Sequence, residues 1–472
     1  MEVDKIDNFT DKENGLGKGK FGPAQILIFG FLGLIIIGTI LLMLPISTND
    51  GVITPFLDAL FTATSAVCVT GLVVENTLAY WSVFGKCVII TCIQIGGLGF
   101  MTLVSMIFVI MGKRITLKNR LIMQEALSFN TPAGVVRFTM LIIKLTLLIE
   151  GIGALLLSFV FVTEYGFVKG ILYSIFHSIS AFCNAGFDLV GSNSLVPYVK
   201  NEWFSYSIMI LIILGGLGYS VWLDTYQTLK LKFNLSDQFT WRQTFYKLSL
   251  HTKLVWILSL LLIFGGFIFF FIAEYNNPDT LGTLSLSDKI TAAMFQSVSP
   301  RTAGFNTLPL DKLTTGSKLV TVILMFIGGS PAGTAGGIKT VTVGVLVLCA
   351  FSVLKGNSNV VVFKKKIGVE QILKSLTIIT IAILIVTIAL TILTFTEDAS
   401  FMELLFETVS AFATVGLTLG ITSSLSITGK IVIIALMFIG RLGLITIGVA
   451  LVVRAARNPA GLQYPEEKIL VG

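Results

Sequence analysis

FQSVSPRTAGFNT, running from Phe295 to Thr307, decides the fold, because three other stretches of the chain repeat its pattern. They are FTATSAVCVTGL from Phe61 to Leu72, FHSISAFCNAGFD from Phe176 to Asp188, and FETVSAFATVGLT from Phe406 to Thr418. Each opens on Phe, carries Ser four residues later (Ser65, Ser180, Ser299, Ser410) and closes on Gly followed by a bulky apolar residue. The third copy is one residue shorter between its Ser and its Gly. Gly71, Gly186, Gly304 and Gly416 are 115, 118 and 112 residues apart, so the chain is a fourfold tandem repeat. A repeat of this kind sets the architecture before any local reading.

A second pattern follows each first one by about a helix length. It reads IGGLGF at Ile95 to Phe100, LGGLGY at Leu214 to Tyr219, IGGSPA at Ile327 to Ala332 and IGRLGL at Ile439 to Leu444. The third copy expands into a Gly-rich run, and the fourth places Arg441 where the others have Gly. Function is expected where these copies stop matching.

Hydrophobic residues make up 54% of the chain and charged residues 12%, with a mean hydropathy of +0.90, which excludes a large soluble enzyme. About 20 apolar residues span a bilayer as helix. Eight stretches qualify, at about 25–45, 82–112, 138–162, 203–223, 254–273, 317–352 (interrupted), 371–395 and 429–453. The expected fold is an all-α integral membrane protein with eight transmembrane helices. Its repeats fall at 25–112, 113–230, 231–355 and 356–453, between an N-terminal tail at 1–24 and a C-terminal tail at 454–472.

The net charge of +7 reads as topology rather than nucleic-acid binding. Of 33 Lys and Arg, 22 lie in the segments 1–24, 112–137, 224–253, 353–375 and 454–472. Positive residues mark cytoplasmic segments, so both termini are expected inside, the four motifs outside, and the basic loops against lipid headgroups. The five Cys and two His show no metal-binding spacing. The polar Met1 to Lys20 lacks the apolar region of a signal peptide. Gly17 to Gly22 matches GxGxxG by letter, but no strand precedes it.

After the first span, Pro55 sits where a new helix tolerates it. A helix from Pro55 to about Val67 reaches only about 20 Å and cannot cross, so the segment dips into the membrane and returns. A re-entrant segment requires that its non-helical half be buried or line a polar cavity. Cys68-Val-Thr-Gly71 is suited to this return, since Gly adopts the positive φ that turns successive carbonyls inward. The short helix points its negative end at the centre, which favours a cation. Four such segments around one axis supply a carbonyl ring that replaces a monovalent cation's hydration shell. The alternative, that the Gly serve only close helix packing, leaves four short re-entrant helices unexplained.

Gly328-Gly-Ser-Pro-Ala-Gly-Thr-Ala-Gly-Gly337 breaks the second helix of the third repeat, being too rich in Gly to continue it. A phosphate-binding reading fails, because the Lys of Gly337-Ile338-Lys339-Thr340 comes one place late and no strand feeds it. Gly328, Gly329, Ser330, Pro331, Ala332, Gly333, Thr334, Ala335, Gly336 and Gly337 are expected beneath the carbonyl ring, as a pore obstruction or as a packing kink. Arg441 lies at matching depth, where a charge must face protein or water. Glu150 and Glu407 are expected to be satisfied structural partners.

SPRTAGFNT, IGGLGF and IGRLG at these spacings resemble the KtrB/TrkH/HKT superfamily of potassium transporters over essentially Pro23 to Gly472, closest to the KtrB membrane subunit of bacterial Ktr uptake systems. The resemblance implies a pseudo-fourfold pore in the bacterial plasma membrane, with Gly71, Gly186, Gly304 and Gly416 as filter glycines. The filter then comprises Val69, Thr70 and Gly71, Asn184, Ala185 and Gly186, Thr302, Ala303 and Gly304, and Thr414, Val415 and Gly416. The 328–337 loop and Arg441 become the gate. Gly at all four filter positions implies K⁺ as the transported ion, with Na⁺ as a further candidate and no bound cofactor. The resemblance also implies a homodimer on a cytoplasmic, nucleotide-binding RCK ring of the KtrA/KtrC type, supplied by another polypeptide. A secondary transporter of another small solute is the rival, but it would usually carry inverted rather than parallel repeats. An intramembrane enzyme would need a catalytic set that the spans do not supply.

Overall fold

The computed structural model describes residues 23–99, 135–191, 193–234, 240–357 and 359–443. Four helices, Gln25–Met43, Val135–Tyr165, Leu250–Glu274 and Val369–Thr396, are long and apolar enough to cross a membrane unbroken, and each opens one repeat. In the first repeat α1 (Pro23–Met43) leads to a short α2 (Phe56–Cys68) and then to α3 (Val83–Leu98). The second holds α4 (Val135–Tyr165), α5 (Phe167–Phe182) and α6 (Glu202–Leu217), continued by α7 (Tyr219–Asn234). After α8 (Trp241–Lys247), the third holds α9 (Leu250–Glu274), α10 (Leu286–Val298), α11 (Thr315–Phe326) and, beyond the Gly-rich loop, α12 (Thr340–Leu354). A two-residue hairpin of β1 (Val361–Val362) and β2 (Lys365–Lys366) precedes α13 (Val369–Thr396), α14 (Phe401–Ala413) and α15 (Ile427–Leu442).

The short helices begin and end for local reasons. Pro55 precedes α2, the Ser285 hydroxyl accepts from the Asp288 amide at the start of α10, and Ser400 and Glu403 form a reciprocal capping box on α14. Asp58, Asp288 and Glu403 in the first turns complement the positive helix ends. At the other end Val69 and Thr414 turn into the left-handed region, with φ of 58° and 50°, and stop α2 and α14. The motif residues Phe61, Phe176, Phe295 and Phe406 are buried beside them. The long helices carry the outward apolar surface, as at Ile383, Leu384 and Ile388. Within a membrane that inner burial acts through packing, because lipid tails are as apolar as the core.

The four repeats close into a ring. Lys430 on α15 lies 2.7 Å from the Asp58 carboxylate on α2, joining the last repeat to the first. Gly153 on α4 and Gly266 on α9 leave room for Ser178 and Ser297 of the neighbouring short helices, and these donate to the Glu150 and Ile263 carbonyls at 2.6 Å.

The expected continuous helix over 203–223 is a correction. The chain bends by 95° between Glu202–Leu217 and Tyr219–Lys232, at Gly218, whose φ is 89°. Gly99 and Gly443 hold the same place in the first and fourth repeats, with φ of 85° and 83°. Such a backbone cannot continue a right-handed helix. The expected remainders of those two spans, 100–112 and 444–453, lie outside the described residues. So do the tail at 454–472, the Gly17 to Gly22 run, and most of the tail at 1–24 and of the basic segment 112–137.

Candidate functional site

Past each short helix the backbone follows one course four times. Val69, Asn184, Thr302 and Thr414 have φ between 50° and 72°, and Gly71, Gly186, Gly304 and Gly416 have φ between 71° and 93°. The residue before each Gly donates its amide to the motif Ser carbonyl: Thr70 to Ser65 at 2.8 Å, Ala185 to Ser180 at 2.7 Å, Ala303 to Ser299 at 2.9 Å and Val415 to Ser410 at 2.8 Å. Left-handed residues on either side of that anchored amide keep the intervening carbonyls out of helical pairing.

The four glycines form a closed ring in chain order. A methyl group placed on Gly71 would meet the Ala185 carbonyl, one on Gly186 the Ala303 carbonyl, one on Gly304 the Val415 carbonyl and one on Gly416 the Thr70 carbonyl. Each approach is 3.0 Å or closer, where ordinary contact begins at 3.4 Å. Every glycine is thus pressed against the carbonyl preceding the next glycine.

The motif Ser hydroxyls brace this ring, a role the sequence signalled by fixed spacing but did not define. Ser65 and Ser410 accept from the amides of Gly71 and Gly416 at 3.0 and 3.1 Å. Ser180 and Ser299 donate to the Phe187 and Phe305 carbonyls just beyond their glycines. The buried hydroxyls of Thr70, Thr302 and Thr414 have no partner among the described residues, leaving polar atoms beside the ring.

Beyond the glycines, the next residues line a cavity of 730 Å³ whose wall includes all four. Val73, Asp188, Asn306 and Thr418, each two residues past its glycine, share that wall with Glu75, Asp311 and Lys312. Partial burial pushes the Asp188 carboxyl up to about 6, against the pull of the Val190 amide 3.1 Å away. The residue after the motif Phe steadies this rim in two repeats. His177 Nε2 accepts from the Leu189 amide at 3.2 Å, and Glu407 accepts from the Thr418 and Thr422 hydroxyls at 2.7 and 2.6 Å. Glu150 instead accepts from Gln94 at 3.1 Å. Both membrane carboxylates are therefore held by side chains rather than left free.

On the opposite side of the ring lies the 328–337 loop. Room for a Cβ is missing at Gly336, against the Thr414 hydroxyl, and at Gly328, where it would strike the Gly336 carbonyl and come within 3.3 Å of Thr302 Cγ2. The loop is pinned to the second repeat: the Ser330 amide donates to Gly216 at 2.9 Å, the Thr334 amide to Gly215 at 3.2 Å, and the Thr334 hydroxyl to Phe182 at 3.1 Å. The Tyr219 amide donates back to Ala332 at 2.9 Å.

Arg441 reaches across two repeat boundaries. Its guanidinium donates to the Thr334 carbonyl in the third repeat and to the Gly96 and Gly97 carbonyls in the first, the last at 3.2 Å. Gly96, Gly215 and Gly440 do serve close packing: a Cβ on them would strike the Val67, Phe182 and Phe412 carbonyls. The packing glycines and the ring glycines are different residues. The predicted filter positions therefore come together as one ring, and the predicted gate positions come together directly beneath it.

Comparison with known proteins gives a consistent picture. The TrkH family, described as cation transport proteins, matches residues 8–458. The Ktr system potassium uptake protein B of Bacillus subtilis is 42% identical, over 96% of this chain and 97% of its own. The potassium/sodium uptake protein NtpJ of Enterococcus hirae is 40% identical, over 96% and 98%. The crystal structure of the potassium transporter TrkH from Vibrio parahaemolyticus superposes with a TM-score of 0.68 over 89% of this chain and 84% of that one; at 16% identity it speaks for the fold.

Proposed function

Because the chain belongs to the TrkH family of cation transport proteins, we propose that it carries K⁺ into the cell along the axis of its glycine ring, as a multi-pass protein of the bacterial plasma membrane with both termini in the cytoplasm. The observation that carries this reading is the closure of the ring, in which each of four glycines abuts the carbonyl before the next. A ring of backbone carbonyls, each packed against a glycine that carries no side chain, replaces a hydration shell at low cost. The C-terminal ends of α2, α5, α10 and α14 lead into the ring, and each helix end carries roughly half a negative charge. The 730 Å³ cavity is the entry vestibule, where a hydrated ion waits among Glu75, Asp188 and Asp311. The names of the relatives, potassium uptake for one and potassium/sodium uptake for another, support K⁺ as cargo with Na⁺ as a second candidate.

The 328–337 loop and Arg441 are the gate in this proposal. The loop fills the space under Thr302 and Thr414, and the guanidinium fastens it to the first repeat. A homodimer on a cytoplasmic nucleotide-binding RCK ring, supplied by another polypeptide, releases it; the word system in the relative's name is in keeping with several components.

The test is uptake of labelled Rb⁺ by proteoliposomes holding the purified chain, together with growth of a bacterium lacking its own K⁺ uptake systems at low K⁺. Concentrative or K⁺-competed Rb⁺ entry and rescued growth are expected. Correct insertion without either, with a regulatory partner supplied, defeats the reading.

A further inference from the structure

We infer that Arg301 sets the charge balance of the ring, suiting it to a monovalent cation and rejecting divalent ones; the inference rests on the transport reading above. Arg301 lies three residues before Gly304. The corresponding residues of the other repeats are Cys68, Cys183 and Ala413, none of them basic and all fully buried. Arg301 is placed almost as deeply, at 7% exposure, and it immediately precedes Thr302, the left-handed residue that opens the ring segment of the third repeat.

Its local contacts do not account for a charge. One guanidinium nitrogen donates to the Ser259 hydroxyl on α9 at 3.1 Å, and Nε has no partner among the described residues. No carboxylate among the described residues forms a salt bridge with it. A single neutral hydroxyl answers little of a group with five N–H donors. A charge kept inside a membrane protein without a counter-ion is costly. Fastening this segment to α9 needs no charge, as the nearby Ser297 shows by donating to the Ile263 carbonyl of the same helix at 2.6 Å.

The field of the short helices does account for it. The last residue of α10 is Val298, and the Arg301 amide donates to the Val298 carbonyl at 3.2 Å, so Arg301 stands just past the negative end of that helix. The last turns of α2, α5 and α14 hold no basic residue. Four helix ends at roughly half a negative charge each sum to about −2, a field that holds a divalent ion in preference to K⁺. One guanidinium behind the third end brings the sum to about −1, matched to a single positive charge. The vestibule sharpens the need. Glu75, Asp188 and Asp311 on its wall outnumber Lys312, and such a surface concentrates divalent cations more strongly than monovalent ones. Discrimination against the second charge therefore falls to the ring.

The experiment measures Rb⁺ uptake by proteoliposomes holding the parent, Arg301→Gln or Arg301→Lys, with the regulatory partner supplied, against rising external Ba²⁺ and, separately, rising external K⁺. Ba²⁺ is close to K⁺ in size, so the comparison isolates charge. In Arg301→Gln the ratio of half-inhibiting Ba²⁺ to half-competing K⁺ should fall about sixfold, the effect of one unit charge about 15 Å from the ion's second charge at an effective dielectric of about 20. That distance allows for the three residues to Gly304 and the reach of the side chain toward α9. Arg301→Lys should stay near the parent. An unchanged ratio in Arg301→Gln, with the parent transporting Rb⁺, overturns the inference and leaves the transport reading standing. Equal falls in the Gln and Lys variants overturn it as well, because the shape of the guanidinium rather than its charge would then matter. No K⁺-competed Rb⁺ entry in the parent removes the transport reading and this inference with it. If Arg301→Gln does not insert, Arg301→Met takes its place with the same expectations.

Discussion

Adding one methyl group at Gly304 tests the ring most directly. The glycine has a φ of 81°, and a Cβ built on it lies 2.5 Å from the Val415 carbonyl and 2.9 Å from Gly186 Cα. Ordinary contact starts at 3.4 Å, so Gly304→Ala must move the Val415 carbonyl by about 0.9 Å or shift its own strand equally. The left-handed backbone adds about 1–2 kcal/mol for any residue with a Cβ, too little to prevent insertion. Taking about half a charge on a carbonyl oxygen, withdrawal from about 3 to about 4 Å of a K⁺ costs roughly 0.7 kcal/mol at an effective dielectric of ~20. That is about threefold in affinity for one displaced oxygen, and more if Gly186 moves too. Competition between labelled Rb⁺ and Na⁺ is the assay. K⁺ affinity should fall at least about threefold and the preference over Na⁺ should fall with it. A well-inserted Gly304→Ala protein with unchanged K⁺ affinity and unchanged Na⁺ competition would refute the assignment of the ring as the ion-selective element.

Three further outcomes follow from the surroundings of the ring. Ser410→Ala strands the buried Gly416 amide, at a cost of about 1–3 kcal/mol; thermal unfolding in detergent should shift down and K⁺ affinity should weaken, whereas a Ser at this position in a non-bracing role would change neither. Arg441→Ala frees the Thr334, Gly96 and Gly97 carbonyls, and removing 332–335 takes away the loop apex; both should raise basal flux and loosen dependence on the partner, and flux at or below the parent's in both would place the barrier elsewhere. The raised Asp188 carboxyl is charged above about pH 6 and neutral below it. Uptake at limiting K⁺ should therefore decline as external pH drops through 6, and Asp188→Asn should flatten that step; an undiminished step in the variant would show that Asp188 is not its source.

Much of this was legible because the repeats compare four local solutions to one problem. The α2 helix expected from Pro55 to about Val67 is Phe56–Cys68, and the four glycines picked by alignment of the motifs do meet. The bend at Gly218 escaped notice because apolar residues continue on both sides of it, and hydropathy carries no direction. The bracing serines were visible as constants, but which atom each would hold depends on backbone turns that no spacing encodes. Lys339, whose amine donates to the Ala335 carbonyl at 2.6 Å, shows in the sequence only as a failed phosphate-loop pattern, since a contact to a carbonyl four residues back leaves no sequence signature. His177 was hidden because each repeat fills that position with a different side chain, whereas Glu407 stood out as a membrane carboxylate and only its partners, Thr418 and Thr422, were not legible.

The ring is assembled from one polypeptide, and its members therefore mutate one at a time. In an assembly of four identical chains, a bulky residue or a cation under the filter would appear in every quadrant, and the passage would be shut. Here a single quadrant bears a ten-residue Gly-rich loop and another bears a lone guanidinium, while the remaining two keep plain helix-breaking glycines. Each station of the proposed coordination shell can likewise be altered by a quarter step. Variation among such chains can thus adjust ion preference and ease of opening in small, separately heritable increments that a symmetric tetramer cannot take.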